Sequence, residues 1–312
     1  MNRNSNIYTV IYAVVLCGLV AVLLSVAALG LKDQQKANTD NEKKQQILNA
    51  VVEALAKTEY KQYLDYKIDK GDTIYYSVKF EKADLIWNAL DMESNMACVT
   101  VNGDLDQDTN PFEINAKTLF TKGEVKADAK LPFFCANIND KPYYIMCMYG
   151  AGLWDAIWGY IAVEGDGSTI AGASFDHAGE TAGLGAKIKD DPAFAAAFVG
   201  KQIFKNGQFA PVVVTKKAAD NKVDAITGAT KTSDCVSIMV GNSLQGYAAA
   251  LQQLGQLAGM GSDCCGNAEG GCCGKCKEGA EGECCKNAEG GECEKHEGEC
   301  CKEAEGECPK AE

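Results

Sequence analysis

The N-terminal apolar stretch constrains this chain most. Residues 7–31, IYTVIYAVVLCGLVAVLLSVAALGL, form a run of 25 positions without a charge. At a helical rise of about 1.5 Å per residue they span roughly 37 Å, more than the hydrocarbon core of a bilayer. A cleaved signal peptide is the alternative, with SVA at 25–27 as its peptidase site, but its apolar region is usually only about 7–15 residues long. We therefore predict an uncleaved transmembrane anchor over residues 1–31.

The charges beside this anchor do not fix its orientation. Arg3 and the amino terminus precede it, whereas Lys32 and Lys36 follow it with Asp33 between them. Positive charge usually marks the cytoplasmic side of a membrane segment, and here it is present at both ends. The orientation therefore has to come from another source.

Behind the anchor, composition divides the chain into a linker, a domain and a tail. Residues 32–56 begin as a polar spacer, up to residue 46, and continue into ILNAVVEALAK, whose apolar positions mark one face of a juxtamembrane helix. Residues 57–257 intersperse strand-like and helix-like segments, which predicts a single α+β domain. Since 46% of all residues are apolar, the chain can form a real core.

Within the domain, several segments have clear patterns. Strands are predicted inside 60–80 and in PYYIMCMYG, LWDAIWGYIAV, STIAGASF and FAPVVVTK. DDPAFAAAFVGK, at 190–201, predicts a short helix capped by Asp190 or Asp191. Residues 233–257 have apolar residues mostly three or four apart, which predicts an amphipathic helix with Thr232 or Ser233 as its N-cap.

An acidic stretch and four cysteines of the domain receive structural interpretations. An EF-hand loop from Asp104 would need glycine and glutamate where Thr109 and Asn115 stand, so residues 102–115 predict a solvated loop. The cysteines of the domain are expected to be buried packing residues: Cys98, Cys135, Cys147 and Cys235.

The tail, residues 258–312, differs from everything before it. It contains 11 of the 16 cysteines and 14 acidic against 6 basic residues, so it carries −8 of the net charge of −13. With almost no aliphatic residues to bury, it is predicted to be disordered. Two alternatives stay open: a soft-metal clamp at the C-x-x-C of Cys273 and Cys276, or a redox relay.

Several function classes are disfavoured by composition. The acidic balance argues against nucleic acid or an anionic lipid surface as the main partner. The chain contains only two histidines, His177 and His296, and neither a G-x-S-x-G elbow nor a G-x-x-x-x-G-K-[ST] loop. The sequence therefore disfavours both a histidine-based metal site and nucleophilic hydrolysis.

Two polar, glycine-containing stretches are candidates for chemistry. DAITGATKTSD, at 224–234, places two threonines in the turn before the predicted amphipathic helix. A helix N-terminus attracts anions, because its unpaired amides and dipole both favour negative charge, although a simple cap is the plainer interpretation. DHAGETAGLGAKI, at 176–188, combines a histidine, a glutamate and a threonine with a Gly-Leu-Gly run.

These stretches resemble the motifs of the FMN-binding domain family. DAITGAT matches the flavinylation pattern D-x-x-[ST]-G-A-[ST] completely, and HAGETAGLG is similar to a second family stretch, with Ala182 where proline is usual. GAGLW, at 150–154, resembles a G-x-G-L-W turn of the same family. The three motifs occur in the expected order.

The resemblance implies a role for each matched residue. FMN would be joined by a phosphodiester to the hydroxyl of Thr230, in a motif completed by Asp224, Thr227, Gly228 and Ala229. The residues expected at the isoalloxazine ring are Leu153, Trp154 and Leu184 for apolar contact, Glu180 and Thr181 for hydrogen bonds, and His177 for orienting the loop.

The overall layout looks most like the C subunit of the sodium-translocating NADH:quinone reductase, with the G subunit of the related Rnf complex as the alternative. The resemblance implies an electron-transfer subunit with covalent FMN that works with other membrane subunits, is loaded by a flavin transferase, and passes electrons from NADH toward quinone coupled to sodium transport. The chain has no G-x-G-x-x-G fingerprint for binding NADH itself. The resemblance also implies a single-pass protein of the bacterial inner membrane whose FMN domain faces the periplasm.

Two other classes remain. A membrane-anchored metal-handling protein would use the cysteine tail, and a structural assembly subunit would leave the flavin motif unused.

Overall fold

The computed structural model describes residues 6–263 except 70, 122, 218 and 219. The tail from residue 264, with Cys273 and Cys276, lies outside the described residues, so the predictions for it stay predictions. The helices of the described part are α1 (Asn6–Asn49), α2 (Val52–Leu55), α3 (Ala83–Ala89), α4 (Lys187–Asp190), α5 (Pro192–Ala196) and α6 (Thr230–Asp263). Short 3₁₀ turns occur at Glu59–Tyr63, Phe80–Lys82, Pro111–Glu113 and Ala116–Leu119.

Fourteen strands complete the described part. They are β1 (Leu64–Ile68), β2 (Ile74–Val78), β3 (Met96–Val99), β4 (Leu105–Asp106), β5 (Phe120–Thr121), β6 (Glu124–Val125), β7 (Leu131–Ile138), β8 (Lys141–Ala151), β9 (Ala156–Glu164), β10 (Ile170–His177), β11 (Phe204–Lys205), β12 (Gln208–Phe209), β13 (Val213–Thr215) and β14 (Lys222–Asp224). The mixture of helices and strands confirms the predicted α+β class.

A six-stranded antiparallel sheet forms the centre, in the order β10-β9-β8-β7-β3-β4. The three strands predicted between residues 142 and 175 are β8, β9 and β10, which have 11, 9 and 8 residues. Near the start of β9, Ile157 pairs with Gly150 of β8 on one side and with His177 of β10 on the other. The loop after β8 and the loop after β10 therefore leave the sheet at the same end of its strands.

Helix α6 packs on this sheet through one face, as predicted. Its large buried apolar residues are Val236, Met239, Val240, Leu244, Tyr247 and Leu251. Gly150 allows a close approach, because a Cβ atom built there would lie 2.9 Å from the Cβ of Met239. The buried stripe recurs every three or four residues and confirms the amphipathic pattern.

The predicted start of α6 is wrong by three residues. The helix begins at Thr230, and the amide of Ser233 already bonds the carbonyl of Ala229 at 3.0 Å. Neither Thr232 nor Ser233 is an N-cap, because neither hydroxyl accepts an amide of the first turn of α6. The Thr232 hydroxyl donates to the Glu180 carboxylate, and the Ser233 hydroxyl accepts the amide of Ile226. The helix also continues past residue 257 to Asp263.

Helix α1 is a single helix of 44 residues, which corresponds to about 66 Å. Within the described residues, it is the helix that is long and apolar enough to cross a bilayer, and its most apolar window has a mean hydropathy of 2.8 with none of it buried in the protein. The polar spacer, residues 32–46, was predicted as a separate linker. It instead continues the helix, since Gln, Lys and Ala are good helix formers even without an apolar face.

The end of α1 and α2 behave as the predicted juxtamembrane face. Ile47, Leu48, Val51 and Leu55 are buried against the domain. Side chains from 31 to 39 are exposed, so the domain begins to contact α1 near residue 40.

Smaller predictions are partly confirmed. The segment 60–80 contains the β1–β2 hairpin. The helix predicted at 190–201 is only Pro192–Ala196, capped by Asp191, whose carboxylate accepts from the amide of Ala193 at 3.1 Å. The strand predicted from FAPVVVTK is shared between the end of β12 and β13.

Two of the four domain cysteines are not fully buried. Cys98 and Cys147 are buried as predicted, but Cys135 and Cys235 are half-buried. Cys135 points away from the face that buries Phe134, and Cys235 lies at the margin of the buried stripe of α6. Both positions follow from the periodicity of their elements.

Candidate functional site

Three loops that contain the sequence motifs meet at one end of the sheet, where the strands β8 and β10 finish. Loop A is residues 152–155, after β8. Loop B is residues 178–186, after β10. Loop C is residues 225–229, between β14 and α6. The residues predicted from the motifs all lie in these loops or in the residues directly beside them.

Glu180 of loop B ties the loops together. One carboxylate oxygen accepts the amides of Leu153 at 2.7 Å and Trp154 at 3.1 Å, both in loop A. The other oxygen accepts the hydroxyl of Thr232, in the first turn of α6, at 2.7 Å. The side chain is only 6% exposed. Its charge is therefore met by three protein donors, as a buried carboxylate requires.

Two glycines make room for this carboxylate. A Cβ atom at Gly152 would lie 2.5 Å from Oε1 of Glu180, and one at Gly185 would lie 2.5 Å from Oε2 and 2.6 Å from the hydroxyl oxygen of Thr232. These distances are too short for any larger residue. Both glycines of the family motifs are thus explained by close packing around one side chain.

Loop C needs glycine for a different reason. Gly228 has φ +82°, in the left-handed region, and a Cβ atom there would lie 3.0 Å from the Leu184 side chain of loop B. The loop is closed by Ser233, whose hydroxyl accepts the amide of Ile226 at 3.1 Å and donates to the carbonyl of Ala229 at 3.0 Å. The turn that presents Thr230 is therefore held from the helix side.

The hydroxyl of Thr230 is placed at the start of a long helix. Thr230 is half-buried and is the first residue of α6, which has 34 residues. The unpaired amides and the dipole of such a helix produce a partial positive charge at this end. Thr227 and Gly228 beside it are exposed, whereas Ala229 is buried. A phosphate group on Thr230 would thus lie in a favourable field at an accessible surface.

Loops A and B, which meet at this end of α6, contain large apolar side chains that the protein does not cover. Trp154 is 70% exposed, Leu153 50% and Leu184 43%. Clustered exposed apolar residues usually mark a binding surface. The three residues predicted to contact the isoalloxazine ring are therefore available for a flat apolar partner.

The remaining predicted residues have different positions. His177 ends β10, and its Nδ1 accepts the amide of Glu180 at 3.2 Å, which fits the prediction that it orients the loop. Thr181 is exposed, and its carbonyl accepts the amides of Leu184 and Ala186, so it shapes loop B. Asp224 is exposed at the end of β14.

Glu180 has a role within the protein that the sequence did not indicate, because both of its oxygens accept bonds from protein donors. Sequence reasoning did not foresee this role because two of the donors are backbone amides, which no residue type reveals. Its predicted bonds to ring heteroatoms stay a prediction, since an ionised carboxylate can accept about four hydrogen bonds.

Sequence reasoning also missed Asp176, Lys189 and Gln46. Asp176 is 5% exposed and accepts both the ammonium group of Lys189 and the side-chain amide of Gln46 at 2.8 Å. A charged residue at the buried end of an apolar strand was the available indication. Its partner on α1, Gln46, is 130 positions away in sequence, and no sequence pattern indicated that the two residues pair.

One thiol lies beside the loops. Burial, followed by the nearby carboxylates of Glu180 and Asp234, raises the pKa of Cys235. The thiol therefore remains protonated near neutral pH and is a weak nucleophile.

Comparison with known proteins agrees with this geometry. Residues 152–245 match the FMN-binding domain family, a range that begins in loop A and includes loops B and C. The crystal structure of the Na(+)-translocating NADH-quinone reductase C subunit from Parabacteroides distasonis is 36% identical, with a TM-score of 0.58, over 71% of this chain and 96% of that chain. The chain belongs to the family of these C subunits.

Two other members of the same family extend the comparison. The Na(+)-translocating NADH-quinone reductase C subunit of Vibrio vulnificus is 28% identical over 245 residues, which cover 76% of this chain and 90% of the relative. The crystal structure of Shewanella oneidensis NqrC is 23% identical with a TM-score of 0.52 and covers 70% of this chain and 98% of that chain, so it supports the fold alone. Helix α1 and the relationship to the Vibrio vulnificus subunit fit a membrane-anchored protein.

The residues of the site fit the FMN that the family implies. Exposed apolar side chains can contact the isoalloxazine ring, and the Thr230 hydroxyl lies at a helix N-terminus, where a phosphate is favoured. The glycines of loops B and C allow close packing. Glu180 does not oppose this fit, because its charge is met within the protein.

Proposed function

We propose that this chain is the FMN-carrying electron-transfer subunit of a membrane-bound Na⁺-translocating NADH:quinone reductase. Its FMN is joined to the hydroxyl of Thr230 by a phosphodiester bond. The observation that carries this proposal is the meeting of loops A, B and C at the N-terminus of α6, with Thr230 as the first residue of that helix.

The protein's contribution to attachment is electrostatic and steric. A phosphodiester retains one negative charge, which the amides and dipole of α6 stabilise by about 0.3–1 kcal/mol at an exposed site. Gly228 and the buried Ala229 keep the turn compact beside Thr230. A flavin transferase forms the bond, and the exposure of Thr227 and Gly228 gives such an enzyme access to the motif.

The apolar residues hold the ring in place. Trp154 offers a face for stacking, and Leu153 and Leu184 offer aliphatic contact. FMN, once bound, supplies the capacity to take up and release electrons one or two at a time. The covalent link keeps this capacity on the subunit through every redox cycle.

The proposal also places the chain in its complex. As the family resemblance implies, electrons from NADH enter at another subunit, and the lack of a dinucleotide fingerprint in this chain is consistent with that. They pass this subunit on the way to quinone, in a complex that couples the transfer to sodium transport. We infer a single-pass protein of the bacterial inner membrane, with α1 in the bilayer and the FMN domain on the periplasmic side, where flavinylation takes place in this family.

Three forms of the protein in its native complex test the proposal: wild type, Thr230→Ala and Thr230→Ser. We expect Thr230→Ala to assemble normally, to carry no covalent FMN and to lose NADH-driven quinone reduction. Thr230→Ser retains a hydroxyl at the same atom and should retain both FMN and activity. Full quinone reduction by Thr230→Ala would refute the proposal and favour a purely structural subunit.

A further inference from the structure

The end of the membrane helix is bonded directly to the strand that leads into loop B. Gln46 of α1 makes the hydrogen bonds of this connection. Its side-chain amide donates to the carboxylate of Asp176 at 2.8 Å and accepts from the indole nitrogen of Trp158 at 3.3 Å. Its backbone carbonyl accepts the hydroxyl of Ser174 at 2.8 Å. We call these four residues the anchor joint: Gln46, Trp158, Ser174 and Asp176.

The joint supplies hydrogen-bond partners to a carbonyl at the end of α1 and to a nearly buried carboxylate. Gln46 lies in the last turn of α1, where backbone carbonyls have no partner within the helix. The hydroxyl of Ser174 supplies a partner for its carbonyl. The nearly buried carboxylate of Asp176 likewise receives the Gln46 amide together with the Lys189 ammonium group. The end of α1 is therefore fixed in one position on β9 and β10.

From Asp176 the hydrogen bonds continue into the flavin loops. The Asp176 carboxylate also accepts the amide of His177 at 2.8 Å, and Nδ1 of His177 accepts the amide of Glu180 at 3.2 Å. Glu180 in turn holds loop A and the first turn of α6. A continuous series of bonded groups thus joins the membrane helix to the helix that begins with Thr230.

We propose that Gln46 and Asp176 are positioning residues for electron transfer, and that they fix loop B and the flavin surface relative to the membrane helix. The inference rests on the proposed function, because it gives the joint a role only if the loops hold a flavin. Electron transfer between subunits depends steeply on distance and orientation, and in the proposed function α1 is the segment that fixes this chain in the bilayer. A rigid joint between α1 and the loops therefore maintains the geometry on which the transfer depends.

The structure provides a matched control at the neighbouring position. Gln45 also lies in the last turns of α1, and its side-chain amide donates to the carbonyl of Val78 in β2 at 2.6 Å. That bond fastens the same helix to the same domain but leads away from loop B. Gln45→Leu removes one side-chain hydrogen bond between α1 and the domain, and Gln46→Leu removes two. Only the bonds of Gln46 lead toward the flavin loops.

The experiment compares wild type, Gln45→Leu and Gln46→Leu in the intact complex. The measured quantities are covalent FMN on Thr230 by mass spectrometry, the thermal midpoint, the visible circular dichroism of the bound flavin, and the NADH-to-quinone rate. We expect both variants to carry FMN and to have similar thermal midpoints. Gln46→Leu alone should change the flavin dichroism and lower the NADH-to-quinone rate. Asp176→Asn, which keeps the size of the side chain and removes its charge, should have the same effect as Gln46→Leu and serves if that variant does not fold.

The outcomes separate the two proposals. If the rate and the flavin dichroism of Gln46→Leu and Asp176→Asn equal those of Gln45→Leu, the joint is only structural and this inference is overturned. If wild type carries no FMN on Thr230, the proposed function fails, and the inference fails with it.

Discussion

The two long helices of this protein contrast in where they place their apolar residues. Between residues 7 and 31, α1 is apolar on every side, and its large side chains are exposed. Helix α6 is apolar along one stripe, and this stripe is buried on the sheet. A helix without a polar face has no side to turn toward water, so it requires lipid, whereas a striped helix requires a partner within its own domain.

The contrast continues at the ends that face the flavin loops. The last turns of α1 fasten the helix to the sheet through Gln46, and the first turn of α6 presents Thr230 and fastens it to loop B through Thr232. In both helices the apolar residues decide what the helix packs against. The polar residues at one end of each helix decide how that helix is bonded to the loops of the site.

Leucine truncation should separate the two helices most clearly. Leu244 of α6 is fully buried, whereas Leu23 of α1 is 61% exposed. Leu244→Ala leaves a cavity and should lower the free energy of unfolding of the domain by about 2–5 kcal/mol. Leu23→Ala should leave that free energy unchanged. Denaturant titration of the detergent-solubilised chain, followed by tryptophan fluorescence, measures both, and equal losses would contradict the assignment of α1 to lipid.

Glycine substitution should give a smaller difference in the same direction. A Cβ atom at Gly246 of α6 would lie 2.9 Å from the side chain of Leu131 and 3.0 Å from that of Val125, whereas one at Gly30 of α1 would have nothing within 4 Å. Overpacking should outweigh the gain in helix propensity for Gly246→Ala, with a net loss of about 1 kcal/mol. The thermal midpoint should therefore fall for Gly246→Ala and stay constant for Gly30→Ala. A raised midpoint for Gly246→Ala would show that the packing between α6 and the sheet is looser than described.

The buried face of α6 should also create a small alkaline instability. Tyr247 of α6 donates its hydroxyl to the carbonyl of Pro132 at 2.8 Å and lies 3.3 Å from the sulfur of Cys147 in β8. Burial raises the pKa of Cys147 from its ordinary 9.0 to about 11, and the Tyr247 hydrogen bond opposes this only in part. Between these values the unfolded chain loses the thiol proton and the folded chain keeps it, so stability falls as pH rises.

The size of this effect can be isolated with one variant. Wild type should lose about 1 kcal/mol more than Cys147→Ser between pH 8 and pH 10, because a shift of one pKa unit corresponds to about 1.4 kcal/mol. Urea titrations at the two pH values provide the measurement. Identical losses in both proteins would mean that the thiol is accessible to water in the folded state.

The sequence predicted those parts of the fold that depend on local pattern. The long strands β8, β9 and β10 and the buried face of α6 were found because their apolar residues alternate or recur at helical spacing. The predicted start of α6 was three residues too late, because Thr232 and Ser233 are residue types that often cap helices. In the structure their hydroxyls instead bond Glu180 and the turn before the helix. Which of several nearby groups a hydroxyl bonds is decided by tertiary structure.

Within the site, motifs identified the loops but did not define each role. Leu153, Trp154 and Leu184 are exposed where a ring is expected, and His177 supports loop B as predicted. Glu180 was predicted to contact the cofactor, and the structure adds a role in holding loop A and α6 together that the motif did not indicate. The Gln46–Asp176 bond joins residues 130 positions apart, and a single sequence carries no indication of such a pair.

Mass spectrometry of the chain isolated from its native membrane tests the central claim most directly. The peptide that contains Thr230 should carry the mass of FMN less one water, and fragmentation should place the added mass on that threonine. A natively prepared chain with an unmodified Thr230 peptide would contradict the account, and the exposed surface formed by loops A, B and C would then need a different ligand.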